Sequence, residues 1–104
     1  MPKRALEVLT ESMFYVLMAL EDEPRCGTDI ADFIRIRTAA RVQLGPATLY
    51  TILGKFQQEK YIREIGVEGR KRTYEITDKG RSAYQTEVSR LRHCLSDAEM
   101  GGRT

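Results

Sequence analysis

No stretch of this 104-residue sequence is apolar over enough length to cross a bilayer. The longest apolar run, Met13 to Leu20, stops at Glu21-Asp22-Glu23, well short of the ~20 residues a spanning helix needs. Metal-binding residue types are scarce. The two cysteines, Cys26 and Cys94, lie far apart and form no CxxC pair, and the only histidine, His93, sits beside Cys94. That set is too small for a zinc site, whose ligands recur at regular spacing, and it outlines no disulfide framework. Two reduced thiols are expected, and no metal or cofactor. Paired carboxylates and a phosphate-cradling loop are missing, and the one adjacent reactive pair, His93-Cys94, sits in a helix with no visible orienting group, so no enzyme site is expected. Met1-Pro2-Lys3-Arg4-Ala5 lacks the apolar core and cleavage site of a signal peptide. The expectation is a cytoplasmic protein without membrane contact, and the chain has no internal repeat or low-complexity segment.

What the sequence does have is the composition of one globular domain, 41% hydrophobic and 31% charged. Its net charge of +2 is unevenly spread. Between residues 60 and 72, five basic residues (Lys60, Arg63, Arg70, Lys71, Arg72) outnumber two acidic ones (Glu64, Glu68). A local positive patch on a near-neutral chain suits a phosphate-contacting surface.

Hydrophobic periodicity orders the chain. Met13, Val16, Leu17 and Leu20, with Phe14 and Met18 beside them, predict a first helix that is apolar around much of its surface and therefore covered on more than one side. Thr10 suits its N-cap, and Pro24 closes it. Ile30, Phe33 and Ile34 predict a second helix from about Gly27 to Arg37, capped by Thr28 or Gly27. After a polar connection, Gly45-Pro46 opens a third, since proline is favoured at the first helical position. On it Leu49, Ile52, Leu53 and Phe56 share one face. Ala47, Thr48, Thr51, Lys55 and Gln58 share the other, with Tyr50 between them.

The period then changes. Tyr61 to Val67 and Arg72 to Thr77 alternate as strands about the turn at Glu68-Gly69, with Tyr74 and Ile76 on one face. Thr77-Asp78 caps a last helix on which Tyr84, Val88, Leu91 and Leu95 form a short heptad seam.

Three helices, a basic hairpin and a closing helix make a mainly α fold with a two-stranded β wing, a winged helix-turn-helix. The expected division is a DNA-binding domain over 1–77, a C-terminal dimerisation helix over 78–97 and a frayed tail over 98–104. The third helix is the one to enter the major groove. Thr48, Thr51 and Lys55 would reach bases or phosphates and Ala47 would permit close approach. Tyr50 is counted with these DNA-facing residues. Arg70, Lys71 and Arg72 on the wing would neutralise phosphates. Tyr84, Val88, Leu91 and Leu95 are the expected dimer contacts. The alternative is a winged-helix module that holds a protein rather than DNA.

The same residues resemble a known family. Phe14 to Leu20, Cys26-Gly27-Thr28-Asp29-Ile30 and above all Leu44-Gly45-Pro46-Ala47-Thr48-Leu49-Tyr50 are similar to the PadR-like transcriptional regulators. Leu53 to Ile62 and Gly69 to Gly80 complete the likeness, which covers roughly residues 10–95. Thr28 stands where many members have tyrosine, and Ala47 where glycine is common. The resemblance implies a repressor of double-stranded operator DNA that is a homodimer through its last and first helices. It also implies, as in some members, a small hydrophobic or aromatic effector. With no tryptophan in the chain, ligand stacking between tryptophans is not expected.

Overall fold

The structure, a computed structural model, describes residues 8–101. The signal-peptide reading of Met1–Ala5 and the last part of the expected tail, 102–104, lie outside the described residues. In chain order the elements are α1 (Glu11–Asp22), β1 (Arg25–Cys26), α2 (Gly27–Arg37), α3 (Pro46–Gln58), β2 (Ile62–Glu68), β3 (Lys71–Ile76) and α4 (Asp78–Gly101). This is the winged helix-turn-helix order. No helix among the described residues is long and apolar enough to cross a membrane.

Thr10 caps α1, its side chain accepting a hydrogen bond from the Met13 N–H at 3.1 Å. The start of α2 differs from expectation, because neither Thr28 nor Gly27 caps it. Cys26 is the N-cap and makes no side-chain cap bond. The cause is β1, a strand not foreseen from the sequence: Arg25 and Cys26 pair with Tyr74 and Thr73. That pairing holds Cys26 extended, at φ −85° and ψ 172°, so the helix begins only at Gly27. The wing is thus a three-stranded antiparallel sheet in the order β1-β3-β2. At the wing tip Glu68 faces Lys71 across Gly69-Arg70. Gly69 is at φ +63° and Arg70 is not in the left-handed region, which fits a type II′ turn. The register shift between Glu64 and Gly66 leaves Ile65 as a bulge.

Helices α2 and α3 both stop in Schellman motifs, which satisfy their last carbonyls. The Ala40 N–H reaches the Arg35 carbonyl at 2.7 Å, and the Tyr61 N–H reaches that of Phe56 at 2.8 Å. The first left-handed residue after each helix is Ala39 or Lys60, at φ 52° and 66°, and Ala40 follows Ala39 at φ 65°. Between these stops the apolar stripes close one core. Val16, Leu17, Ile30, Ile34, Leu53 and Phe56 are fully buried, and Ile62, Tyr74 and Ile76 line it from the sheet. Burial pushes the phenols of Tyr61 and Tyr74 above the ordinary tyrosine range, with Glu59 and Glu64 respectively acting in the same direction.

The Thr77 hydroxyl accepts from the Gly80 N–H at 3.1 Å and donates to the Lys60 carbonyl at 2.6 Å. One side chain therefore caps α4 and ties it to the end of α3. Further along, α4 lies on α1. Tyr84 stacks on Phe14 with ring centroids 5.4 Å apart, and Arg81 pairs with Glu21. Glu87 is buried in this contact and held by Arg90 at 2.6 and 3.0 Å. From Leu91 to Met100 every residue is exposed. The helix runs on to Gly101, so residues 98–101, expected to fray, are helical instead.

Candidate nucleic-acid interface

With Gly45 as N-cap and Pro46 at the first position, α3 buries Leu49, Ile52, Leu53 and Phe56 and leaves its opposite side free. Ala47, Thr48, Tyr50, Thr51 and Lys55 are all exposed, so the structure brings the helix residues singled out from the sequence to one surface. At about 100° per residue, Ala47, Thr51, Gly54 and Gln58 form the crest. Thr48 and Lys55 stand on one flank, and Tyr50 and Gln57 on the other. The crest is open at Gly54: nothing lies within 4 Å of where a Cβ there would be.

A recess borders each flank. On the first, a groove of about 420 Å³ separates Thr48, Thr51 and Lys55 from Thr10, Ser12 and Met13 of α1. On the second, a recess of about 300 Å³ joins Tyr50 and Thr28 to Arg70, Lys71 and Arg72 of the wing. The wing therefore faces the same side as α3. The part played by α1 was not read from the sequence. Ser12 is remote in sequence from α3, and no local pattern marks a residue that tertiary packing brings there.

The cations divide into two groups. Among the described residues Arg25, Arg35, Arg41, Arg63, Arg81 and Arg90 each pair with a carboxylate. Lys55, Lys60, Arg70, Lys71 and Arg92 pair with none among the described residues, and Arg37 and Lys79 instead lie over the rings of Phe33 and Tyr61. Arg72, expected with its two wing neighbours to neutralise phosphates, meets Glu64 across the hairpin at 3.2 Å. That pair is exposed on the arginine side and of the kind worth little in water, so it opens at small cost. Lys55, Arg70 and Lys71 thus place three cations without a carboxylate partner on α3 and the wing tip, where a polyanion would supply counter-charge.

The seam on α4 is divided as well. Tyr84 packs on α1 and Val88 is half-buried, while Leu91 and Leu95 are 38% and 59% exposed. Cys26 is buried, Cys94 is exposed and both are free thiols. No group of three or more metal-ligating side chains is close enough to hold an ion among the described residues.

The family model of the transcriptional regulator PadR-like family matches residues 16–86. The chain belongs to the PadR-like family of transcriptional regulators. As a PadR-like regulator it is not an enzyme. The matched span begins inside α1 and ends inside α4, and so contains α3 and the whole wing. Ser12, Leu91 and Leu95 fall outside it. Comparison with curated proteins by sequence finds no match.

Solved structures share the fold. A transcriptional regulator from Clostridium thermocellum is 24% identical with a TM-score of 0.73, the match covering 88% of this chain and 91% of that one. RosR of H. salinarum is 22% identical with a TM-score of 0.68, covering 86% and 76%. Bacillus subtilis PadR, solved in complex with operator DNA, is 20% identical with a TM-score of 0.66, covering 75% and 46%.

Proposed function

We propose that this PadR-like regulator is a sequence-specific repressor that binds double-stranded DNA as a homodimer, in the cytoplasm, and responds to a small hydrophobic or aromatic effector. The observation that carries the DNA reading is the exposed face of α3, with Thr48, Thr51 and Lys55, facing the same way as Arg70 and Lys71, none of these three cations having a carboxylate partner among the described residues. Hydroxyls and a lysine on a helix thin enough for the major groove are base- and phosphate-reading chemistry. Cations at the wing tip suit the neighbouring backbone. One winged helix touches too few base pairs to define a site, and two copies about a two-fold axis read two half-sites. Exposed Leu91 and Leu95 on α4 support a partner helix there. Repression comes from the family likeness. For an effector, the space of about 280 Å³ beside Phe14 and Tyr15, between α1 and α4, offers room.

Titration of a labelled duplex at several salt concentrations tests the reading. Phosphate contacts release counterions, so affinity should fall steeply and log-linearly with salt. A protein that ignores duplex DNA, or binds it with no salt dependence, would instead favour a winged-helix module for holding another protein.

A further inference from the structure

We infer that the start of α1 is part of the DNA grip: Ser12, with Lys55 across the groove, holds one of the two phosphate backbones bordering the major groove, while Tyr50 and the wing tip hold the other. The inference rests on the reading of α3 as the helix that enters DNA. A helix with its side chains is about 10–12 Å across, and the major groove is about 12 Å wide. A helix filling that groove therefore leaves one sugar-phosphate strand against each flank. Here both flanks are hollowed, and the hollow beside Thr48 and Lys55 has α1 as its far wall.

The lining of that hollow matches a phosphodiester. Its walls carry the hydroxyls of Thr10, Ser12, Thr48 and Thr51, and among the described residues the one charge lining it is Lys55. Glu11, the nearest carboxylate in sequence, is paired with Arg41 and does not line the groove. The Thr10 oxygen is occupied as acceptor by the Met13 N–H, which leaves its proton to donate. The Ser12 hydroxyl has no protein partner among the described residues. Hydroxyls and an unpaired ammonium, with no acid between them, are the groups that position a protein on a DNA backbone without reading its sequence.

The test uses the full-length protein and a mixed-sequence duplex long enough for two half-sites, titrated across a salt series. Ser12→Asp puts a like charge against the phosphate and should weaken binding by about tenfold or more. Ser12→Lys should strengthen binding and steepen the slope of log affinity against log salt by about 0.9. Ser12 is the second residue of α1, where an acid favours the helix and a lysine does not. A loss in Ser12→Asp with a gain in Ser12→Lys therefore runs opposite to any effect on helix stability. Gln85→Lys, which adds the same charge on exposed α4, should leave the slope unchanged. If the wild type binds and both Ser12 variants match it in affinity and slope, the α1 contact is overturned while the DNA reading stands. If the wild type does not bind duplex DNA, the reading itself is overturned.

Discussion

The Tyr50 hydroxyl of α3 lies so close over the first residue of α2 that a Cβ on Gly27 would sit 2.6 Å from it. Gly27 is buried and Tyr50 is 51% exposed, so the obstacle is the free end of a side chain and not backbone. We predict that Gly27→Ala folds with little change, within about 1 kcal/mol of wild type, because the ring can swing outward. The same swing takes Tyr50 out of the wing recess, so affinity for duplex DNA should fall severalfold. Urea melts and fluorescence anisotropy on one preparation check both halves. Wild-type affinity in Gly27→Ala would show that the position of the ring is not used.

Gly80 is the contrasting case. A Cβ there would lie 2.1 Å from the Tyr61 carbonyl oxygen and 2.9 Å from Ile76 Cγ1. The first obstacle is backbone, fixed by the Schellman stop of α3 and by the Thr77 N–H, which donates to that same carbonyl at 2.9 Å. Gly80→Ala should cost about 1–3 kcal/mol or more, as forced overpacking does, and should lower the denaturation midpoint. An unchanged midpoint would mean that α4 is not held tightly against the end of α3.

The wing and α3 should fail in different ways. Replacing Arg70 and Lys71 by Ala removes two cations that have no protein partner among the described residues, so specific and random DNA should lose affinity alike. The salt slope should flatten by about 0.9 for each lost phosphate contact. Thr51 on the crest should behave oppositely. Thr51→Ala is expected to cost ~1–3 kcal/mol on the specific site if the hydroxyl meets a base edge, with little effect on random sequence. Equal losses for Thr51 on both duplexes would remove it from the reading surface.

These contrasts also show which parts of the molecule were legible in the sequence. The stripe Leu49, Ile52, Leu53, Phe56 placed α3 and its exposed side, because a period of 3.6 alone decides which residues face the core. The alternation of Tyr74 and Ile76 placed β3 by the same logic at period two. Arg25–Cys26 escaped notice because two residues carry no period, and only pairing with the outer edge of β3 makes them a strand. The ends of α2 and α3 lacked the usual glycine, since Ala39 and Lys60 take the left-handed positions. The end of α4 was placed too early because Ser96 to Met100 contains neither proline nor glycine and simply continues the helix. The pairing of Arg72 with Glu64 is not legible in the sequence because a cross-strand partner depends on the hairpin register. The role given to α1 beside the reading surface depends wholly on packing.

A partner for α4 is the next prediction. Leu91 and Leu95 are exposed in the single chain, and burying a leucine stabilises by roughly 1.5–3 kcal/mol. Sedimentation should show a wild-type dimer at micromolar concentration and a Leu91→Asp, Leu95→Asp double variant shifted to monomer. Tyr84 is already stacked on Phe14, so Tyr84→Ala should lower the stability of each subunit as well as pairing. A double variant that sediments like wild type would place the dimer contact elsewhere or remove it.

Footprinting of the purified protein on the DNA surrounding its own gene tests the central claim most directly. The account predicts two protected half-sites related by a two-fold axis, their centres about one helical turn apart, with protection lost as salt is raised. Thr51→Ala should erase the specific footprint while leaving diffuse binding. Uniform coating of the DNA with no preferred site, or no protection even at low salt, would contradict it.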